Sequence, residues 1–384
     1  MTQTEHILLS LIKQSLFGIC EEIPSEADWN AVLREARQQA VVGLAAAALP
    51  EGVPQEASAE WKTAEYRQLA QQVKYWDAQD RLHSVLTENG ISYVILKGAS
   101  AAMLYPSPFY RSMGDIDFLV LPEQFDHTKE ILLANGYEAD GEQDYRHSVF
   151  CRNGITYELH RQFSYRDLNM EEELLAGLSH AELQTVNGHA FYSLPDTENG
   201  LVLLGHLWNH LHTGVGLRQV IDWMLYVHQC LDEEAWKAGF SARAEALGLK
   251  KLAVHAAHMC QMYLGLPDSY CWYAEADEDL CSELFAKVIH DGNFGRKNQY
   301  SNADSQKVLG VLSDFHRYGL FRQLQSRGEA NWSLYHRHPR LRPFAWLYQL
   351  VRYPVLWFRS KKAKKLFTLI KHDNDTQSLL EKLS

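Results

Sequence analysis

The stretch Asp115-Ile116-Asp117-Phe118-Leu119-Val120 limits what this chain can fold into more than any other part of it. Its β-branched and aromatic residues favour a strand. Strand side chains alternate between faces, so Asp115 and Asp117 share one face and Ile116 points the other way, into a core. Two carboxylates held side by side repel each other and raise each other's pKa. A divalent cation removes that cost, and hard oxygen ligands suit Mg2+ or Mn2+. A third carboxylate, Glu158, sits in a second strand pattern, Thr156-Tyr157-Glu158-Leu159-His160. If the two strands pair, Asp115, Asp117 and Glu158 converge. Such a set can hold two metal ions and polarise both an attacking hydroxyl and the α-phosphate of a nucleotide.

Upstream, Leu96-Lys97-Gly98-Ala99-Ser100 ends another strand pattern in glycine and small residues. A turn of this kind, opening a helix, lets backbone N–H groups approach phosphates closely. Lys97, Gly98, Ala99 and Ser100 are therefore the expected nucleotide-binding residues, and Arg111 adds positive charge near the same edge. For Lys97 and Arg111, an ion pair with the acidic strand is the structural alternative.

The rest of the chain divides around these motifs. Residues 1–90 read as helical, with one helix expected over 28–47 and a long one over 56–89 that stops at Asn89-Gly90. Residues 91–195 read as a mixed α/β domain. Its strands are expected at 92–96, 115–120, 137–139, 147–151 and 155–160, with a helix over 122–135 and hairpin turns at Asn153-Gly154 and Asn187-Gly188. Residues 196–384 return to helix, at 196–212, 217–230, 233–247, 249–264, 280–289, 345–353 and 356–369. The expected fold class is α+β: a small mixed-sheet domain embedded in mostly helical N- and C-terminal regions.

Taken together, Leu96-Lys97-Gly98-Ala99, Leu104-Tyr105-Pro106, Arg111-Ser112-Met113-Gly114-Asp115-Ile116-Asp117-Phe118-Leu119-Val120, Tyr157-Glu158-Leu159-His160 and Gly214-Val215-Gly216-Leu217-Arg218-Gln219-Val220-Ile221-Asp222 resemble the uncharacterised nucleotidyltransferase family of the DNA polymerase β-like nucleotidyltransferase superfamily. The resemblance implies metal binding by Asp115, Asp117 and Glu158, and triphosphate contact near Gly98 to Ser100. Ala99 stands where the superfamily usually has Gly or Ser, and Ser100 follows it. The implied activity is transfer of a nucleoside monophosphate from an NTP to an acceptor, with release of pyrophosphate. The alternative is a non-catalytic nucleotide-binding or protein-interaction module on the same fold, which Ala99 favours.

Three further features bear on partners. In Gly205-His206-Leu207-Trp208-Asn209-His210-Leu211-His212, His206 and His210 share a helical face, as do Arg218 and Asp222 on the next helix. The plain readings are packing at a domain junction and an intrahelical ion pair. The functional alternative makes this a wall facing the carboxylates, with His210, Arg218 and Asp222 as accessory site residues. Near the C-terminus, Trp346, Tyr348, Tyr353, Trp357 and Phe358 interleave with Arg342, Arg352, Arg359 and Lys361, Lys362, Lys364 and Lys365. An aromatic side packed on the core, with solvated basic ends, is favoured over contact with an anionic membrane. Finally, a net charge of −11 disfavours a general nucleic-acid binder, so a small molecule or a protein is a better acceptor than long RNA.

Six cysteines without a C-x-x-C pair read as buried free thiols, not a disulfide framework or zinc site. The N-terminus contains Glu5 and lacks the basic start and continuous apolar run of a signal peptide. With no apolar run of membrane-spanning length, the expected location is the cytoplasm.

Overall fold

The computed structural model describes residues 1–140, 147–163 and 168–297, and beyond them 321, 324–325, 328–329, 332, 339–351 and 376–384. These divide into two compact units. One comprises Met1–His210, Gly214–Lys297 and Leu383–Ser384; the other comprises Leu211–Thr213 and the described residues between 298 and 382. In the second unit a 3-10 turn at Pro339–Phe344 leads into a helix over 345–351. The helix expected over 356–369, and the basic residues from 352 to 365, lie outside the described residues. No helix among the described residues is long and apolar enough to cross a membrane.

The first unit begins with four helices: α1 (Gln3–Phe17), α2 (Trp29–Gln39), α3 (Val42–Ala47) and α4 (Gln55–Glu88). Thr2 caps α1 through a reciprocal box with Glu5, and Asp28 caps α2 by accepting from the Ala31 N–H. The single helix expected over 28–47 is two helices. Ala40 turns left-handed (φ 59°) and closes α2 with bonds back to Ala36 and Arg37.

The sheet follows. Its strands are β1 (Tyr93–Leu96), β2 (Ile116–Val120), β3 (Glu138–Ala139), β4 (His147–Arg152), β5 (Ile155–His160), β6 (Glu182–Val186) and β7 (His189–Ser193). Their spatial order is β3-β4-β5-β2-β1-β7-β6. The β2–β5 and β1–β7 pairs are parallel and the others antiparallel. Between the strands lie α5 (Gly98–Ala102), α6 (Phe125–Ala134) and α7 (Glu171–Leu178). The helix expected from Pro122 starts three residues later, after a turn over 122–124 whose Gln124 side chain bonds to Ser92 and Gly90.

Alternation along β2 sets the architecture. Ile116, Phe118 and Val120 join Tyr93 and Ile95 of β1 and Tyr157 and Leu159 of β5 in one core, which α4 closes with Trp76, Leu82 and Leu86 and α6 closes with Ile131 and Leu132. Asp117, Glu158 and His160 belong to the opposite face.

Helices follow the sheet: α8 (Asp196–Thr213), α9 (Leu217–Cys230), α10 (Glu233–Ala235), which continues through a π turn at Trp236–Phe240 into α11 (Ser241–Ala246), α12 (Lys250–Leu264), α13 (Cys271–Ala274) and α14 (Glu278–Asp291). Helices α8 and α9 approach closely at Gly200, where an added methyl group would overlap the Tyr226 ring. Gly200→Ala is therefore expected to destabilise the protein by about 1–3 kcal/mol through overpacking. Urea unfolding measures it, and a loss below about 0.5 kcal/mol, typical of a surface change, would show that the helices separate freely.

All six cysteines are free thiols, as expected, but burial is confined to Cys260 and Cys281; Cys20 and Cys271 are exposed.

Candidate active site

Strand register builds the site. In the parallel β2–β5 pair, Asp117 lies directly opposite Glu158, and His160 follows two residues along β5 on the same face. On the other side of β2, Asp117 is paired with Leu96, the last residue of β1, so the Lys97-Gly98 turn begins beside the carboxylates. Lys97 Nζ lies 2.8 Å from Asp117 Oδ2. His160 Nε2 lies 3.1 Å from Asp117 Oδ1 and 3.7 Å from Glu158 Oε2. Asp115 sits just before β2, half-buried. Above it, the Tyr75 hydroxyl donates to the Gly114 carbonyl at 2.6 Å, fixing the approach of this segment to the strand.

The electrostatics are those of crowded anions. Burial opposes ionisation of Asp117, but the Lys97 ammonium and the His160 hydrogen bond hold its carboxyl below the usual range. Asp115 is raised by the Asp117 charge and by burial, which outweigh Lys97, Arg218 and Arg111. Burial and the charges of Asp117 and Asp115 push Glu158 up to about 8. These positive charges thus leave the cluster under-compensated, which is the situation a divalent cation relieves. One ligand atom each from Asp117, Glu158 and His160 lie within 4.8 Å of one another, so the donor set fits such an ion. Burial keeps the His160 imidazole neutral, as a ligand must be, against the pull of Asp117.

The turn between β1 and α5 is strained. Lys97 has φ 57° and ψ −124°, a conformation that glycine adopts readily and lysine rarely, at a cost of about 1–3 kcal/mol. Gly98 follows at φ 36°. Ala99 and Ser100 are fully buried, and the Ser100 hydroxyl donates to the Ile95 carbonyl at 3.0 Å. The hydroxyl thereby braces the turn from inside.

A family model described as "Uncharacterised nucleotidyltransferase" matches residues 25–265. The chain belongs to that family. The match takes in α2 through α12, and with them the whole sheet and the carboxylate cluster. No curated protein matches the chain. Among solved structures, an antigenic nucleotidyltransferase-like protein from Paracoccidioides brasiliensis is similar over 53% of this chain and 96% of its own, at 12% identity and a TM-score of 0.31.

Within the family fold, the two sequence-predicted cations part company. Lys97 meets the acidic strand, whereas Arg111 turns away from it to Asp222 of α9. Arg111 Nε and Nη2 donate to Asp222 Oδ1 and Oδ2, both at 2.8 Å, and the Tyr105 hydroxyl donates to Oδ1 at 2.8 Å. Asp222 therefore engages a residue more than one hundred positions away. Arg218, its expected helical partner, donates to the Ser112 carbonyl at 3.0 Å and stacks over the Phe294 ring. Among the described residues no hydrogen-bond partner meets the buried Arg218 Nε, and the Arg218 charge acts on Asp115.

His206 and His210 form a buried pair, Nε2 to Nε2, at 2.9 Å. His210 Nδ1 donates to the Gly214 carbonyl at 3.1 Å, so its Nε2 accepts and the His206 Nε2–H donates. The positive charges of Lys97 and Arg218 reach both rings. Burial, reinforced by Arg218, pushes His210 down to about 3; burial and His210 push His206 well below its usual value.

A pH dependence follows. The folded imidazoles resist protonation while unfolded ones protonate near 6.5, so on acidification the unfolded chain binds protons first. This contribution to stability is complete above pH 6.5 and is lost as pH falls toward about 3. His210→Gln is expected to show a shallower loss of unfolding free energy between pH 7 and pH 5 than the native chain. Equal slopes would remove the pair from the acid response.

His160, Tyr75 and Tyr105 bond to these segments without being among the sequence candidates. For His160 the signal is present: it lies two residues from Glu158 in a strand, and period two places both on one face. For the tyrosines no local signal exists, since their partners lie on remote segments.

Proposed function

We propose that this chain transfers a nucleoside monophosphate from an NTP to an acceptor hydroxyl and releases pyrophosphate. The observation that carries this reading is the register that puts Asp117 opposite Glu158, with His160 beside both. Asp115, Asp117 and Glu158 would hold Mg2+ or Mn2+, with His160 joining them. Bound there, the cation would supply Lewis-acid stabilisation of charge developing on the phosphate and acceptor oxygens. Lys97 would offset the substrate's negative charge, and the backbone of the Gly98 turn would border the triphosphate. Glu158, whose side chain is 34% exposed against 4% for Asp117, marks the side open to an acceptor. The buried Arg111–Asp222 pair and Arg218 would hold the helical wall against the site. On this reading residues 91–195 form the transferase domain, flanked by 1–90 and 196–384. The net charge of −11 favours a small molecule or a protein over long nucleic acid as acceptor.

The test is pyrophosphate release from each of the four NTPs with Mg2+ or Mn2+, against small hydroxylated compounds, proteins including this chain itself, and RNA. Labelled acceptor formed together with pyrophosphate supports transfer. A second reading, a binding module without turnover, is favoured by Ala99 and by the inward Ser100 hydroxyl, which leave the glycine turn without an outward hydroxyl donor. NTP binding with no turnover across the whole acceptor panel would select it.

A further inference from the structure

Both carboxylate oxygens of Asp117 are taken, Oδ2 by the Lys97 ammonium at 2.8 Å and Oδ1 by His160 Nε2 at 3.1 Å. The Asp117 side chain is 4% exposed and that of Lys97 14%, so water does little to solvate the pair. Each oxygen keeps a second lone pair, but a divalent cation that takes it stands beside one of these partners. The neutral imidazole, now donating from Nε2, can shift its proton to Nδ1 and offer the same nitrogen to a cation as a lone pair. An ammonium has donors only, and beside a divalent cation it is repelled. Lys97 is the group that has to leave.

The backbone points the same way. Lys97 is held at φ 57° and ψ −124°, where a glycine would be relaxed, and the strained turn keeps its ammonium over Asp117 and 5.5 Å from the centre of the Phe163 ring. A lysine kept at that position against its own conformational preference is placed there for its charge.

We propose that Lys97 is an internal counter-ion, which neutralises Asp117 until a divalent cation displaces its ammonium, and that the displaced ammonium then pairs with the substrate's phosphates. Cation loading and arming of the phosphate-binding lysine become one exchange. The proposal rests on the metal-dependent reading above and adds an order to it: the cation first, then the anionic substrate.

The test is calorimetric titration of Mn2+ into the full chain as native protein, Lys97→Met and Lys97→Gly. The glycine variant relieves the strained turn, so a folding defect in the methionine variant does not decide the outcome. Both variants are expected to bind Mn2+ at least about tenfold more tightly than the native chain, the effect of removing one charge-assisted hydrogen bond that competes for Asp117. With Mn2+ saturating, both are expected to bind α,β-methylene-ATP about tenfold more weakly, since one phosphate-pairing charge is gone. Unchanged or weaker Mn2+ binding in both variants overturns the counter-ion role while leaving the metal site standing. Unchanged affinity for the ATP analogue overturns the transfer of Lys97 to phosphate. No Mn2+ binding by any of the three proteins overturns the exchange and the metal-dependent reading together.

Discussion

Asp117→Asn is expected to lower Mg2+-dependent NTP turnover by about a thousandfold or more, the scale on which loss of metal-based charge stabilisation acts. Asp117 is the centre of the site: it touches Lys97 and His160 and stands in register with Glu158. Asparagine keeps the shape and one carbonyl oxygen but removes the charge that attracts a cation. The Asp115→Ala, Asp117→Ala double variant should be inactive as well. Pyrophosphate release under saturating NTP measures both, with circular dichroism showing that the sheet persists. An Asp117→Asn protein retaining more than about a tenth of native turnover would mean that the carboxylate does no metal chemistry.

Asp222→Ala is expected to cost about 3–5 kcal/mol of folding stability, because it leaves the Arg111 guanidinium buried with its partner gone. The Arg111 and Asp222 side chains are 2% and 1% exposed, and their two hydrogen bonds form a planar fork. Asp222 is also the acceptor for Tyr105, so the same substitution strands a second buried donor. Tyr105→Phe alone should cost less, about 1 kcal/mol, as removal of one hydrogen bond does. Replacing both charges, as Arg111→Met with Asp222→Leu, should recover most of the loss, because buried pairs are often matched by apolar groups of similar volume. Urea unfolding of the three variants measures this. If Asp222→Ala costs less than about 1 kcal/mol, the pair is solvated as surface pairs are and does not anchor α9.

The two expectations differ in how visible they were beforehand. Asp115, Asp117 and Glu158 are legible as a carboxylate set because strand alternation is a local rule, and the order of the motifs along the chain supplies the rest. The helices from 196 to 264 are legible for the same reason, since their apolar period and their Gly and Pro stops are local. Ala40, which splits the helix expected over 28–47, carries no such mark. Alanine is the best helix former, so no local preference announces its left-handed turn.

Arg111 shows the limit most clearly. Its charge and its distance from Asp115 in the sequence suggested a phosphate or the acidic strand, yet it spans to α9 and is buried there. The Arg218–Asp222 spacing suggested a helical ion pair, but a buried guanidinium arriving from another segment makes two bonds to Asp222 in a geometry the helix neighbour does not match.

The sequence by itself determined which carboxylates the strand segments carry, the helical surroundings of the sheet and the family, because these depend on short-range periodicity and motif order. Only the tertiary structure decided that Asp117 faces Glu158, that His160 joins them, that Lys97 rather than Arg111 holds the acidic strand, and that Ser100 turns inward. Each of those outcomes is a choice of partner across segments distant in the chain. Strand register, burial and competition among charges for one carboxylate settle it, and no local pattern encodes them.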